Sequence, residues 1–113
     1  MKVQAQPHGN VSVLAPHGPL VAEDLIELRR AVESAAAAGT KRLVVDMAAV
    51  PYLDSGGIEL LLELCGPSSA SLLRPKLAAL SETCMEALQL TDVLPRLEVY
   101  DSVENALRSC SGN

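Results

Sequence analysis

A three-residue apolar run, Leu43-Val44-Val45, lies between two stretches of helical periodicity, and that alternation constrains the fold most. Aliphatic residues in sequence without polar alternation mark a strand buried on both faces. Upstream, Glu23 to Ala38 places Leu25, Leu28, Val32, Ala35 and Ala36 on one helical stripe. Glu27, Arg30 and Glu33 fall outside it, and Gly39 supplies the stop. Downstream, Ile58 to Cys65 is helical in pattern until Gly66-Pro67 ends it. Ser68 to Ser71 reads as loop and Lys76 to Leu80 as a strand. Ser81 can cap a helix reaching about Leu90. Leu97 to Tyr100 predicts another strand, and Asp101, with Glu104 three residues on, fits the capping box of a last helix over Val103, Ala106, Leu107 and Cys110.

The chain opens differently. Val3–Gln6 and Val11–Ala15 are β-favouring runs separated by Pro7-His8-Gly9-Asn10, the pattern of a hairpin. The full order is ββαβαβαβα. It predicts an α/β fold with a mixed, largely parallel sheet of about five strands and helices packed against it. At 113 residues, positions 1–113 form a single domain with one core. Without Phe or Trp, and with only two Tyr, that core must interdigitate aliphatic side chains.

Charge narrows the partners. A net charge of −5 opposes a phosphate-backbone footprint, and the scarcity of aromatics leaves no base-stacking platform, so nucleic acid is not expected. No signal-like stretch and no membrane-length apolar window is present, so neither secretion nor membrane insertion is expected, and the predicted location is cytoplasmic. Cys65, Cys84 and Cys110 are widely spaced at apolar helix positions and read as buried free thiols. No closely spaced ligand set suggests a metal or cofactor. His8 and His17 read as exposed turn residues.

The run Leu53-Asp54-Ser55-Gly56-Gly57 joins the central strand to the following helix and admits three readings. Ser55 as a nucleophile needs a positioned base, and only His8 and His17, in the opening hairpin region, are available. The nucleophile-elbow and phosphate-loop patterns are absent, so no enzymatic activity is expected. Asp54 or Ser55 as a helix cap is the plain structural alternative. Yet two glycines in a first turn cost helix stability, on the order of 1 kcal/mol each in a helix interior. They would leave Ser55 unshielded and the backbone open to a docking molecule. On a helical wheel, Ile58, Leu61, Leu62 and Cys65 form the expected core stripe, while Leu60 and Leu64 point away from it. Packing by a neighbouring loop and exposure to a partner are both open for those two leucines.

Taken together, GTKRLVVDMAAVPYLDSGG resembles the signature of STAS domains, specifically bacterial anti-sigma factor antagonists, in which a buried strand leads to D-S-S-G or a variant. GPLVAEDLIELRRAV looks like the family's second strand and first helix, and ALSETCMEALQLTDVLPRLEVYDSVENAL resembles its C-terminal half. The resemblance implies a partner-switching regulator without chemistry of its own. It binds an anti-sigma factor that is also a serine kinase, and phosphorylation of the serine matching Ser55 releases it; a phosphatase would complete such a cycle. The implied binding surface comprises Leu20, Val21, Leu53, Asp54, Ser55, Gly56, Gly57, Leu60 and Leu64. The alternative is a non-catalytic STAS scaffold subunit of a larger complex, such as a lipid-transport ATPase or a stress-signalling assembly, with Ser55 only a contact or cap residue. Three features depart from the family pattern. Val21 stands where an acidic residue is common, Gly56 replaces a frequent second serine, and Gly66-Pro67 ends the second helix early.

Overall fold

The computed structural model describes residues 1–67 and 73–111. The loop expected over Ser68 to Ser71 lies outside them. Among the described residues the order is β1 (Lys2–His8), β2 (Val11–His17), α1 (Leu25–Ala37), β3 (Arg42–Asp46), α2 (Ser55–Cys65), β4 (Lys76–Ala78), α3 (Glu82–Leu90), β5 (Val99–Tyr100) and α4 (Val103–Ser111). The strands form one sheet in sequence order, β1-β2-β3-β4-β5. Only β1 and β2 pair antiparallel; the later pairs are parallel. The expected mixed, largely parallel α/β architecture is therefore the one observed.

The sheet's two faces are packed unequally. Leu14, Leu43, Val45 and Leu77 belong to a cluster with Leu28 and Val32 of α1, Leu60, Leu61 and Leu64 of α2, and Cys84 and Leu88 of α3. On the other face Val11, Val13, Val44 and Ala78 pack with Ala106 and Cys110 of α4. Successive residues of β3 thus enter opposite clusters, as strand geometry requires, which is why 43–45 contains no polar residue. The fully buried side chains are aliphatic or sulfur-bearing, and no polar or charged residue is buried among those described. Cys65, Cys84 and Cys110 are free and buried; burial pushes the Cys65 thiol up to about 12.

Several boundaries differ from expectation for identifiable reasons. The hairpin strands extend to a two-residue Gly9-Asn10 turn, with Gly9 at φ +66°. Pro7 and His8 belong to β1 and His17 to β2, so both histidines are exposed strand ends rather than turn residues. Pro7 is tolerated because β1 is an edge strand. The segment expected to start the first helix forms a 3-10 turn, Ala22–Asp24, before α1, and Ala36 is exposed. Strand β4 stops at Ala78 because Ala79 takes φ +61°. Ser81 caps α3, its Oγ accepting from the Cys84 N–H at 3.2 Å. The α4 cap is Ser102 rather than Asp101: Ser102 Oγ accepts from the Asn105 N–H at 3.1 Å.

Two substitutions test this packing. Leu77→Ala in β4, at a site with no solvent exposure, should cost about 2–5 kcal/mol in denaturant unfolding. Leu90→Ala, at 77% exposure, should change stability by no more than about 0.5 kcal/mol.

Candidate functional site

Strand β3 delivers the chain to a loop that runs back along the segment following β2. Gly18 N–H donates to Ala49 O at 3.1 Å, Leu20 N–H to Tyr52 O at 3.0 Å, and Asp54 N–H to Leu20 O at 3.2 Å. Leu20 and Leu53 form an isolated parallel bridge. These bonds continue the parallel pairing of β2 and β3 beyond the strands themselves. They press the entry of α2 against the backbone of Leu20.

That contact explains Gly57. A Cβ at this position would lie 2.3 Å from the Leu20 carbonyl oxygen, which is backbone and cannot swing aside. Gly56 is less restricted: its Cβ would meet Leu25 Cδ1 at 3.2 Å and Asp54 Oδ1 at 3.3 Å, the ends of side chains. Gly57 is therefore a packing residue, buried inside the protein rather than open to a docking partner.

Asp54, not Ser55, caps the helix. Its Oδ1 accepts from the Gly57 N–H at 2.9 Å, and its Oδ2 accepts from the Ala22 N–H at 3.1 Å. One carboxylate thereby joins the start of α2 to the turn that precedes α1. The bonds from Gly57 and then Ala22 hold the Asp54 carboxyl below the ordinary carboxylate range.

Ser55 is the first residue of α2 and is exposed. Among the described residues no hydrogen bond engages its hydroxyl. His17 lies at the same end of the sheet with its Nε2 bonded to Gln4 Oε1 at 3.1 Å, and among the described residues no hydrogen bond joins it to Ser55. The arrangement offers an accessible hydroxyl at the start of α2. Among the described residues no His, Cys, Asp and Glu cluster is suited to a metal ion.

Leu60 and Leu64 require correction. An outward-facing option is expected for them from the wheel, yet both are buried, with 1% and 8% exposure. The cause is the Gly57 contact: once residue 57 faces the Leu20 backbone, positions 60, 61 and 64 follow it inward at helical spacing. Ile58 and Leu62 become the half-buried flanks. Leu20 is likewise fully buried and contributes its backbone, not its side chain, to the site. Val21, Leu53, Asp54 and Gly56 are half-buried around exposed Ser55. Glu59, one turn after Ser55 on the same helical face, is exposed. Glu63 pairs with Arg29 across α1 and α2.

Two residues of the site do not stand out in the sequence. Tyr52, 50% exposed, stands three positions before Ser55, and Ala22 supplies the second N–H to Asp54. Tyr52 had a usable signal as one of only two aromatics in the chain. Ala22 had none, because its contribution is a backbone N–H brought in by tertiary pairing.

Gly57→Ala should destabilise the protein by roughly 1–3 kcal/mol in chemical denaturation, and Gly56→Ala by less. Acidification tests Asp54. Because its folded pKa is lowered, its contribution is complete well above the ordinary aspartate value of about 3.9 and is lost as pH falls through the lowered value. Melting temperatures measured down to acidic pH should therefore converge for wild type and Asp54→Asn, with wild type the more stable near neutrality. A constant gap across that range contradicts the assignment.

A sequence model of the STAS domain matches residues 2–106. Curated protein sequences give no match. Among solved structures, the chain is similar to an anti-sigma factor antagonist from Mycobacterium paratuberculosis, with TM-score 0.82 and 21% identity, covering 96% of this chain and 92% of that one. It is similar to the anti-sigma factor antagonist SpoIIAA in its unphosphorylated form, with TM-score 0.76 and 18% identity over 99% and 98% of the two chains. It also resembles part of the murine Slc26a9 anion transporter, with TM-score 0.74 and 21% identity, covering 96% of this chain and 19% of the transporter. With 105 consecutive residues matched and the same fold recurring, the chain belongs to the STAS domain family.

Proposed function

We propose that the protein is an anti-sigma factor antagonist that switches partners through Ser55. The observation that carries this reading is the state of Ser55: an exposed, unengaged hydroxyl at the first position of a helix already capped by its neighbour Asp54. A serine that is neither cap nor nucleophile is available for modification without disturbing the fold. The structural neighbours include anti-sigma factor antagonists, and one of them, SpoIIAA, is described in an unphosphorylated form.

The partner would be an anti-sigma factor with serine kinase activity, and a phosphatase would reverse the modification. The surface it meets consists of Val21, Leu53, Asp54, Ser55 and Gly56, with exposed Tyr52 added. Leu60 and Leu64 act only by supporting α2 from beneath. Phosphate on Ser55 adds about −1.5 to −2 charges and three acceptor oxygens. Asp54 has already taken the Gly57 N–H, so the new anion faces a carboxylate beside it and Glu59 one turn away. In solvent that repulsion is screened; within a closed interface it is desolvated and opposes binding.

A second reading has one observation in its favour. Likeness to a segment of the Slc26a9 transporter shows the same fold built into a larger protein, so a scaffold role with Ser55 as a simple contact is the competing proposal.

Ser55→Asp should abolish capture of the kinase-like partner while shifting unfolding free energy by no more than about 0.5 kcal/mol. Affinity measured with the purified partner decides between the readings. Equal binding by wild type and Ser55→Asp would reject switching at Ser55.

A further inference from the structure

The end of the sheet opposite Ser55 has a different electrostatic character. The parallel strands β3 and β4 begin there as neighbours, with Val44 paired to Lys76. Lys41 and Arg42 stand at the start of β3, and Arg74 and Lys76 at the start of β4. Together they line a cleft of about 240 Å³ that also includes Leu43 and Cys110. Four of the chain's nine Lys and Arg residues therefore converge on one small concavity, in a protein whose net charge is −5.

Internal partners account for only part of this charge. Arg42 donates to the Cys110 carbonyl at the C-terminal end of α4. Lys76 donates to Ser109 Oγ at 2.7 Å and pairs with Glu98 at 3.3 Å. Glu98 also feels the Arg74 charge, and it is the one carboxylate that any of these four cations pairs with among the described residues. Lys41 makes no ion pair among them. The described residues that line the cleft include no Asp or Glu. Among the described residues, four cations share the cleft and one carboxylate, Glu98, pairs with them.

Like charges held together in a cleft repel one another unless an anion joins them. Guanidinium groups bind phosphate oxygens in a planar fork, and ammonium groups add compact charge beside them. Arg42 commits one bond to a carbonyl and retains further N–H donors. We propose that this cleft is a binding site for a multiply charged phosphate group, formed by Lys41, Arg42, Arg74 and Lys76. The site is remote from the Ser55 surface along the sheet and does not depend on the function assigned there.

Isothermal titration of the whole chain with pyrophosphate, inorganic phosphate and citrate tests the proposal at low and at physiological salt. Pyrophosphate should bind saturably and more tightly than the other two, with affinity falling as salt rises. Amide resonances of Lys41, Arg42 and Lys76 should shift, and those around Ser55 should not. Lys41→Ala/Arg74→Ala should weaken binding by about tenfold or more. Its melting temperature should match wild type, and Lys41→Arg/Arg74→Lys should retain binding. If the double alanine variant fails to fold, the single alanine variants give the same comparison. Absence of saturable binding, equal affinity in the alanine variants, or citrate binding as tightly as pyrophosphate would overturn the assignment.

Discussion

The contact between Gly57 and the Leu20 carbonyl determines how the central part of the molecule is arranged. Where a Cβ would sit 2.3 Å from that oxygen, only glycine allows α2 to begin against the segment after β2. The contact sets the rotation of α2 about its axis. That rotation sends Leu60, Leu61 and Leu64 into the core shared with α1 and α3 and leaves Ser55 outside. It also brings Asp54 within reach of two backbone donors that are 35 positions apart, Ala22 and Gly57. Position, orientation and exposure of the candidate site follow from one close backbone approach.

The same economy separates stability from recognition. The side chains beneath the site, Leu20, Leu60 and Leu64, are buried. The groups that face outward, Ser55, Glu59 and Tyr52, contribute little to the core. In the switch proposed above, a charge on Ser55 would act at the surface without loosening the core. The arrangement also distributes electrostatics along the sheet. Carboxylates lie around its Ser55 end, whereas cations gather where β3 and β4 begin.

Much of this was legible in the sequence, and the failures are informative. Leu43-Val44-Val45 announced a two-sided strand because an uninterrupted aliphatic run leaves neither face suited to water, and its residues do enter two clusters. Ser81 was a correct cap because the signal is local, a hydroxyl three residues before the N–H that it meets. Asp101 was not, because Ser102 beside it satisfies the same local rule with better register. The α2 stripe was misassigned by one helical position. Ile58, Leu60, Leu61, Leu62 and Leu64 are all apolar, so periodicity within the helix contains too little contrast to choose a face.

The sequence by itself determined the alternation of strands and helices and the aliphatic core, which rest on composition or on patterns within a few residues, and the family, which rests on residues 2–106 matching in order. Tertiary structure alone decided that Gly57 is a packing glycine, that Asp54 bridges to Ala22, and that Ser55 has no hydrogen-bond partner among the described residues. It also decided that four separately encoded cations share one cleft. Each of these depends on two segments meeting across the fold. A local sequence window registers the residue types on either side but not the distance between them, and that distance is set by the sheet.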